Sequence, residues 1–253
     1  MDNITAKDFL KKLAELETDF NIYVPSLGKE GSTIPLTLKQ QKDIISTATG
    51  GVQGSLEFTR KVNEAILENV KEKKLCPYDR VPIIVQLRKQ SLGDRALADN
   101  YEYVSLDDVV KNCKNEKAKF ENTKEITVDS LKLKLRIPTL KEENEIIASC
   151  ITELETIDPD DVSETVGTVF VFELIKYIHT ISIKHEVVAF SDLKIQDRID
   201  IIEKLPLSVY NQLVSFLRQI GKYEADILAV GDTYVTIGAS FFEGDIFDPN
   251  AEA

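Results

Sequence analysis

YDRVPIIVQLRKQSLG, the segment from Tyr78 to Gly93, predicts a buried helix with an unusual polar end. Pro82 is tolerated near the start of this helix, because the first amides of a helix have no intrahelical partner. Gly93 is the usual helix stop, and Arg88 and Lys89 lie near the negative end of the helix dipole. The segment therefore indicates an architectural role rather than an active site. Its nearly continuous apolar surface consists of Val81, Ile84, Val85, Leu87 and Leu92.

The composition is that of a globular protein, with 43% hydrophobic and 29% charged residues among 253, so a folded core is expected. The formal charge of −12 is the informative deviation. It disfavours nucleic acid and anionic membranes as partners, because both attract clustered Lys and Arg. Cys76, Cys113 and Cys150 are isolated thiols outside any CxxC pair. They fit a reducing compartment and predict neither disulfides nor a zinc ribbon.

Two segments bear on where the protein works. The first residues lack a basic region followed by an apolar one, so we expect no secretory signal and maturation in a cytoplasm. The apolar run from Val166 to Ile183 is interrupted by Glu173, Lys176 and His179. These residues argue against a membrane span, and the run predicts a core helix with one polar edge.

Hydrophobic periodicity predicts an α+β fold, mostly helical with small antiparallel β-hairpins. The predicted helices cover about residues 7–18, 39–48, 56–70, 78–92, 140–154, 192–203 and 207–220. Short strands are predicted at 22–25, 33–38, 126–128, 131–137, 227–230 and 233–237. The glycines between 50 and 54 should separate two helices, and the acidic passage from 94 to about 110 should be irregular.

The sequence Asp158-Pro159-Asp160-Asp161 is the best candidate for an internal boundary, because proline and acidic residues mark the start of a new helix. We predict an N-terminal α+β domain over residues 1–157, which contains a hairpin, helices and a basic strand. A C-terminal helical domain over residues 158–253 would end in a β-hairpin. A tight turn within one domain is the alternative.

A basic row formed by Lys132, Lys134 and Arg136 alternates with apolar residues along one predicted strand. In an otherwise acidic protein this row could contact an acidic partner. The plainer explanation, which we favour, is that the charges protect an exposed strand edge from aggregation.

Three patterns could carry chemistry, and each has a plainer explanation. The Gly-rich loop at residues 50–55 lacks the lysine of a phosphate-binding loop. His179 and His185 do not share a helix face and have no partner at ligand spacing. The aspartates at 158–161 lack the glycine and terminal glutamate of an EF-hand. We therefore predict no catalytic, cofactor-binding or metal-binding residues.

The aromatic pair Phe241-Phe242 follows the last predicted hairpin and precedes acidic residues. It could pack into the core or dock onto another subunit. Core packing is favoured, since burial of each ring contributes roughly 1.5–3 kcal/mol.

Three collinear motifs carry a family resemblance. The first is YVPSLGK at 23–29 followed by IPLTLKQQK at 34–42, and the third is TIGASFF at 236–242. The second is the segment at 78–93, in which an aspartate precedes an LRxxSxG pattern. Together they resemble the baseplate hub subunit and hub assembly protein family of T-even-type contractile-tail bacteriophages. The resemblance makes four residues family signatures of structural character: Asp79, Arg88, Ser91 and Gly93.

The resemblance implies a non-enzymatic component of the central baseplate hub or of its assembly, with no catalytic residues and no cofactor. It implies other phage baseplate or tail proteins as partners, and multiple copies in a symmetric assembly are one expectation. The expected location is the virion tail baseplate, with the host cytoplasm during assembly. A transient tail-assembly chaperone absent from the virion is the alternative, and a small intracellular nucleotide-dependent enzyme is a further one. The candidate partner contacts are Pro25, Ser26, Gly28, Lys29, Lys132, Lys134, Arg136, Phe241 and Phe242.

Overall fold

The computed structural model describes residues 19–47, 50–115, 122–221 and 227–243. Over these ranges the predicted α+β fold is confirmed, with eight α-helices and ten strands. The helices are α1 (Leu38–Thr47), α2 (Gly51–Asn69), α3 (Pro77–Leu92), α4 (Leu106–Asn115), α5 (Leu140–Leu154), α6 (Val162–Ile175), α7 (Ile195–Glu203) and α8 (Leu207–Ile220). The strands are β1 (Phe20–Val24), β2 (Lys29–Thr33), β3 (Arg95–Leu97), β4 (Tyr103–Ser105), β5 (Thr123–Val128), β6 (Leu131–Arg136), β7 (Ile178–Ile183), β8 (Glu186–Ala189), β9 (Ile227–Val230) and β10 (Thr233–Thr236).

The strands form three two-stranded hairpins and one four-stranded antiparallel sheet in the order β5-β6-β7-β8. The hairpins are β1–β2, β3–β4 and β9–β10. The strands predicted at 227–230 and 233–237 form the β9–β10 hairpin, and Gly231, the first residue of its two-residue turn, has a φ of 59°. A type II′ turn has a positive φ at its first residue, and glycine adopts this conformation readily.

The apolar side chains form two main cores. The first surrounds α3 and receives side chains from α1, α2, α4, β1 and the β9–β10 hairpin. The second lies between the four-stranded sheet and α8, with contributions from α6 and α7. A smaller cluster of Cys150, Leu154 and Phe172 joins α5 to α6.

The chain crosses between these cores more than once. Strands β6 and β7 pair across the predicted boundary at 157/158, and the final hairpin packs into the first core. The division into residues 1–157 and 158–253 stays a prediction. The two cores do not coincide with this division, because the first is built from both ends of the described chain and the second from its middle.

Helix α3 is buried, as its sequence indicates. Eleven of its sixteen residues are buried, among them the polar residues Asp79, Arg80, Gln86 and Arg88. Gly93 follows the helix with a φ of 106°, a conformation that residues with a Cβ rarely adopt. A helix with buried polar residues requires partners for them, because an unpaired buried polar group costs free energy.

The prediction of one core helix over Val166–Ile183 is wrong. Helix α6 ends at Ile175, and Ile178–Ile183 forms strand β7, which pairs with β6 on one side and β8 on the other. The β-branched residues Ile178, Thr180, Ile181 and Ile183 favour a strand once neighbouring strands are present. No Gly or Pro separates the two elements in the sequence, so the change of structure has no local signal.

Other boundaries also differ from the prediction. Gly51 and Gly54 belong to α2, whereas Gly50 precedes it, so the predicted break between two helices is present but is shorter than expected. The second strand of the first hairpin is Lys29–Thr33 rather than 33–38, and residues 94–110 contain β3, β4 and the start of α4. The helix predicted at 7–18 lies outside the described residues.

Candidate functional site

The loop between β1 and β2 is held against the start of α3. Pro25–Leu27 forms a 3-10 turn, and Gly28 ends it with a φ of 60°. The backbone N–H of Ser26 donates a hydrogen bond to Asp79 Oδ1 over 2.7 Å. Lys29 is exposed, whereas Pro25 and Ser26 are half-buried. The signature residue Asp79 therefore positions the predicted contact loop.

Asp79 also caps its own helix. Its Oδ2 accepts a hydrogen bond from the backbone N–H of Cys76 over 3.0 Å, which completes a capping box. Burial raises the pKa of the Asp79 carboxyl above its usual value, while the hydrogen bonds from Cys76 and Ser26 oppose this rise. One carboxylate thus joins the hairpin loop to the helix start.

Replacement of Asp79 by alanine is expected to lower the free energy of unfolding by about 1–3 kcal/mol, because two partly buried amides lose their acceptor. The Ser26 amide should also exchange faster with solvent. Urea unfolding and hydrogen exchange measure the two effects. Asp94→Ala is the control, since Asp94 is exposed just beyond the other end of α3. Equal losses of stability in both variants would contradict the assignment.

Two further polar residues of α3 bind the first hairpin and the segment that follows it. The Gln86 amide accepts a hydrogen bond from Tyr23 N over 2.8 Å and donates one to Tyr23 O over 3.0 Å. Ser91 Oγ accepts from Leu36 N over 2.7 Å and donates to Leu87 O over 2.8 Å. Gln86 therefore satisfies both backbone polar groups of Tyr23, and Ser91 anchors the chain that leads into α1.

Arg88 connects the second motif to the third. Its Nε donates to Phe241 O over 3.1 Å, its guanidinium lies 5.6 Å from the centre of the Phe241 ring, and it also donates to Gly93 O. The Arg88 side chain is fully buried. The signature residues Asp79, Arg88 and Ser91 thus contact all three regions that carry the family resemblance.

The terminal aromatic pair belongs to the first core. Phe241 is 3% exposed and Phe242 is fully buried, and Phe242 contacts Phe58 edge to face at 6.0 Å. Gln41 donates a hydrogen bond to Phe242 O. This corrects the inclusion of both rings among the partner contacts, because their side chains are not on the surface.

The basic row lies on the exposed face of the four-stranded sheet. Lys132 and Lys134 are exposed, while Leu133 and Leu135 between and beside them are buried in the second core. Strand β6 is an inner strand, paired with β5 and β7. The explanation that these charges protect a strand edge is therefore wrong. Glu125 on β5 lies opposite Lys134 and 3.8 Å from Lys132, so it offsets part of the positive charge.

Arg136 is committed to contacts within the chain. Its two terminal guanidinium nitrogens, Nη1 and Nη2, form an ion pair with the Glu142 carboxylate, and its Nε donates to His179 Nδ1 over 3.1 Å. The hydrogen bonds from Arg136 lower the pKa of the Glu142 carboxyl to about 2. Arg136 therefore differs from the two lysines, which present exposed ammonium groups on the same sheet face.

A buried charge cluster, which we define as Asn63, Arg80, Glu143 and Lys176, was not anticipated from the sequence. Glu143 forms ion pairs with Arg80 and with Lys176, the latter at 3.1 Å. Asn63 donates to Glu143 Oε2 over 2.8 Å and accepts from Arg80 Nε over 2.8 Å. The cluster joins α2, α3, α5 and the residue after α6.

The side chains of the cluster are buried, and Glu143 is only 1% exposed. Burial alone would raise the pKa of the Glu143 carboxyl, but the charges of Arg80 and Lys176 lower it to about 2. Both cations therefore keep Glu143 ionised at neutral pH. The signal in the sequence was the presence of Arg80 and Lys176 within largely apolar segments.

A cleft lies beside Gly50 and Gly54, in the segment for which the sequence predicts no phosphate site. This cleft has a volume of about 550 Å³. Among its lining residues in the described part of the chain, Arg60 is the only cationic one, and it pairs with Glu57 and Glu64. A phosphate would therefore have to compete with two carboxylates for this arginine.

The remaining candidates for chemistry occupy separate places. His179 lines a cavity of about 240 Å³, whereas His185 lies in the turn between β7 and β8. Burial raises the pKa of the Cys76 thiol, and it raises that of Cys150 to about 12, which keeps both in the weakly nucleophilic thiol form. Among the described residues, no group of three or more His, Cys, Asp or Glu side chains could hold a metal ion.

None of the helices in the described ranges is long and apolar enough to cross a membrane.

A family model described as T4 bacteriophage base plate protein matches residues 16–229. This span contains the first hairpin, α3 and the four-stranded sheet, and it ends before Phe241. Comparisons with curated proteins and with solved structures give no match.

Proposed function

The chain belongs to the T4 bacteriophage base plate protein family, and from this premise we propose that it is a non-enzymatic component of the central hub of a contractile-tail baseplate. A structural role in a T4-type baseplate follows from the family itself. The observation that supports a role without catalysis is the use of the signature residues. Asp79, Arg88 and Ser91 hold other segments of the same chain, so the polar groups of these three residues are used within the fold.

Protein contacts are proposed at two exposed surfaces. The first is the sheet face that carries Lys132 and Lys134, which we call the lysine face. The second is the β1–β2 loop, in which Lys29 is exposed and Leu27 is 40% exposed. Positive charge on a chain with a net charge of −12 favours an acidic surface as the partner of the lysine face.

Charge reversal tests the lysine face. The double variant Lys132→Glu and Lys134→Glu should weaken binding to baseplate partners by about 10- to 100-fold, because like charges would then face each other. Pull-down of the baseplate proteins encoded by the same phage, at several salt concentrations, measures this effect. Arg136 is left unchanged, since its ion pair with Glu142 supports the fold.

The matched control reverses Lys39 and Lys42, two exposed lysines of α1, and changes the net charge by the same amount. Partner binding should survive in this control. If both double variants bind as well as the unchanged chain, the lysine face is not the contact surface.

A permanent hub subunit and a transient assembly chaperone differ in where the chain is found. We propose the subunit, for which mass spectrometry should detect the chain in purified virions. Its presence in infected cells and its absence from virions would favour the chaperone. The nucleotide-dependent enzyme would instead require tight nucleotide binding by calorimetry that is lost on replacement of Gly54.

A further inference from the structure

Helix α6 exposes apolar residues between Val162 and Phe170. Val162 is 69% exposed, Val166 is 55% exposed and Phe170 is 38% exposed. These residues are spaced by four and lie on one face of the helix. The buried residues of α6 are Phe172, Leu174 and Ile175 near its end, and Val169 and Val171 pack partly against the same cores.

The exposed surface continues onto α8. The rings of Phe170 and Tyr210 are 5.8 Å apart, and Leu207, one turn before Tyr210, is 70% exposed. We call these five residues the α6 ridge: Val162, Val166, Phe170, Leu207 and Tyr210. A contiguous apolar surface of this kind marks an interaction site more often than scattered exposed residues do.

The shape of the ridge suits a helix as the partner. From Val162 to Phe170 it extends about 12 Å along the axis of α6, which corresponds to two turns of a packed helix. Gly167 lies within this span, and a Cβ built on it would meet no atom within 4 Å. A partner backbone can therefore approach α6 closely beside Phe170.

The charge around the ridge indicates the chemistry of the partner. Asp158, Asp160, Asp161 and Glu164 are exposed at its N-terminal end, and the sequence from 158 to 175 contains no Lys or Arg. A second copy of the chain would bring the same acidic end and a net charge of −12. A partner with basic residues beside its apolar face is favoured over a second copy.

We propose that the α6 ridge binds an amphipathic helix of a different baseplate protein, with apolar residues at helical spacing and Lys or Arg residues that pair with the acidic end. The identity of the partner class rests on the proposed function. The site itself is independent of the lysine face and of the hub assignment.

Photo-crosslinking from the ridge tests the proposal directly. Benzoylphenylalanine is placed at Val166 of the full-length chain in cells that produce the other baseplate proteins of the same phage. The crosslinked peptide should come from one of those proteins and should be an apolar, Lys- or Arg-bearing helical segment. The same probe at Val52, an exposed valine of α2, should not give this product. A crosslink to a second copy, to another part of the same chain or to no protein overturns the proposal.

Binding of the crosslinked partner is then measured with Val166→Glu and with Val52→Glu as the matched control. Val166→Glu should weaken binding at least about 10-fold, while Val52→Glu should leave it unchanged. Urea midpoints should be similar for both variants, because both valines are exposed. Equal binding by the two variants would contradict the proposal that the ridge binds the partner.

If the chain enters baseplates without a crosslink from Val166, the ridge proposal fails and the proposed function stands. If it enters neither baseplates nor their assembly intermediates, the proposed function fails.

Discussion

Replacement of Glu143 by glutamine is expected to lower the free energy of unfolding by about 3–5 kcal/mol. The carboxylate lies between two cations, Arg80 and Lys176, and is almost completely buried. A neutral amide of nearly the same shape removes the negative charge but leaves both cations in the interior. Urea or thermal unfolding of the purified chain measures the loss.

The same cluster gives a defined dependence on pH. The pKa of Glu143 is about 2 in the folded chain against an ordinary value of 4.5. A lowered pKa means that the folded state holds its proton less tightly than the unfolded state. The stabilisation is therefore complete above about pH 4.5 and is lost as the pH falls towards 2. In Glu143→Gln this contribution to the pH dependence should be absent.

The control for this variant is Glu145→Gln on the same helix, where the side chain is exposed. Its effect should remain within about 0.5 kcal/mol. The importance of the buried charge cluster is refuted if Glu143→Gln and Glu145→Gln unfold at the same urea concentration.

Replacement of Phe242 by alanine is expected to cost about 3–5 kcal/mol of stability. The ring is fully buried and contacts both Phe58 and Phe241 edge to face, at 6.0 and 5.3 Å between centroids. Its removal would leave a cavity in the first core. Loss of baseplate binding by this variant would accompany loss of folding, because the ring does not reach the surface.

Tyr234→Ala supplies the comparison, since Tyr234 is an aromatic residue of the same terminal region that is 50% exposed. It should cost much less stability than Phe242→Ala. An alternative role for Phe242 as a partner contact predicts the opposite pattern, in which Phe242→Ala folds with unchanged stability and loses only its partner. That pattern would show that the pair is not a core element.

The elements with strong internal patterns were predictable from the sequence. The apolar surface of α3 and the strict alternation in β6 each specify which faces are buried, whatever the neighbours are. The change from helix to strand after Ile175 was not predictable, because it depends on pairing with β6 and β8. The periodicity of apolar residues indicates which side chains are buried, but it does not indicate which distant strand supplies the hydrogen bonds.

The candidate surfaces show the same limit. Charge alternation correctly indicated that Lys132 and Lys134 face away from the core, but it could not show that β6 is an inner strand. It also could not separate these lysines from Arg136, whose partner Glu142 lies beyond a proline in the next helix. The exposed apolar residues of α6 were missed because a run of apolar residues normally predicts burial.

The hydrogen bonds that close the first core have a consequence for biosynthesis. Arg88 reaches the carbonyl of Phe241 across 153 positions, and Gln41 reaches that of Phe242 across 201. Contacts between such distant positions form slowly, and they cannot form before the later residue has been translated. Helix α3 therefore leaves the ribosome long before the hairpin and the phenylalanines that cover it. The nascent chain must keep that helix from aggregating until the last residues of the core emerge.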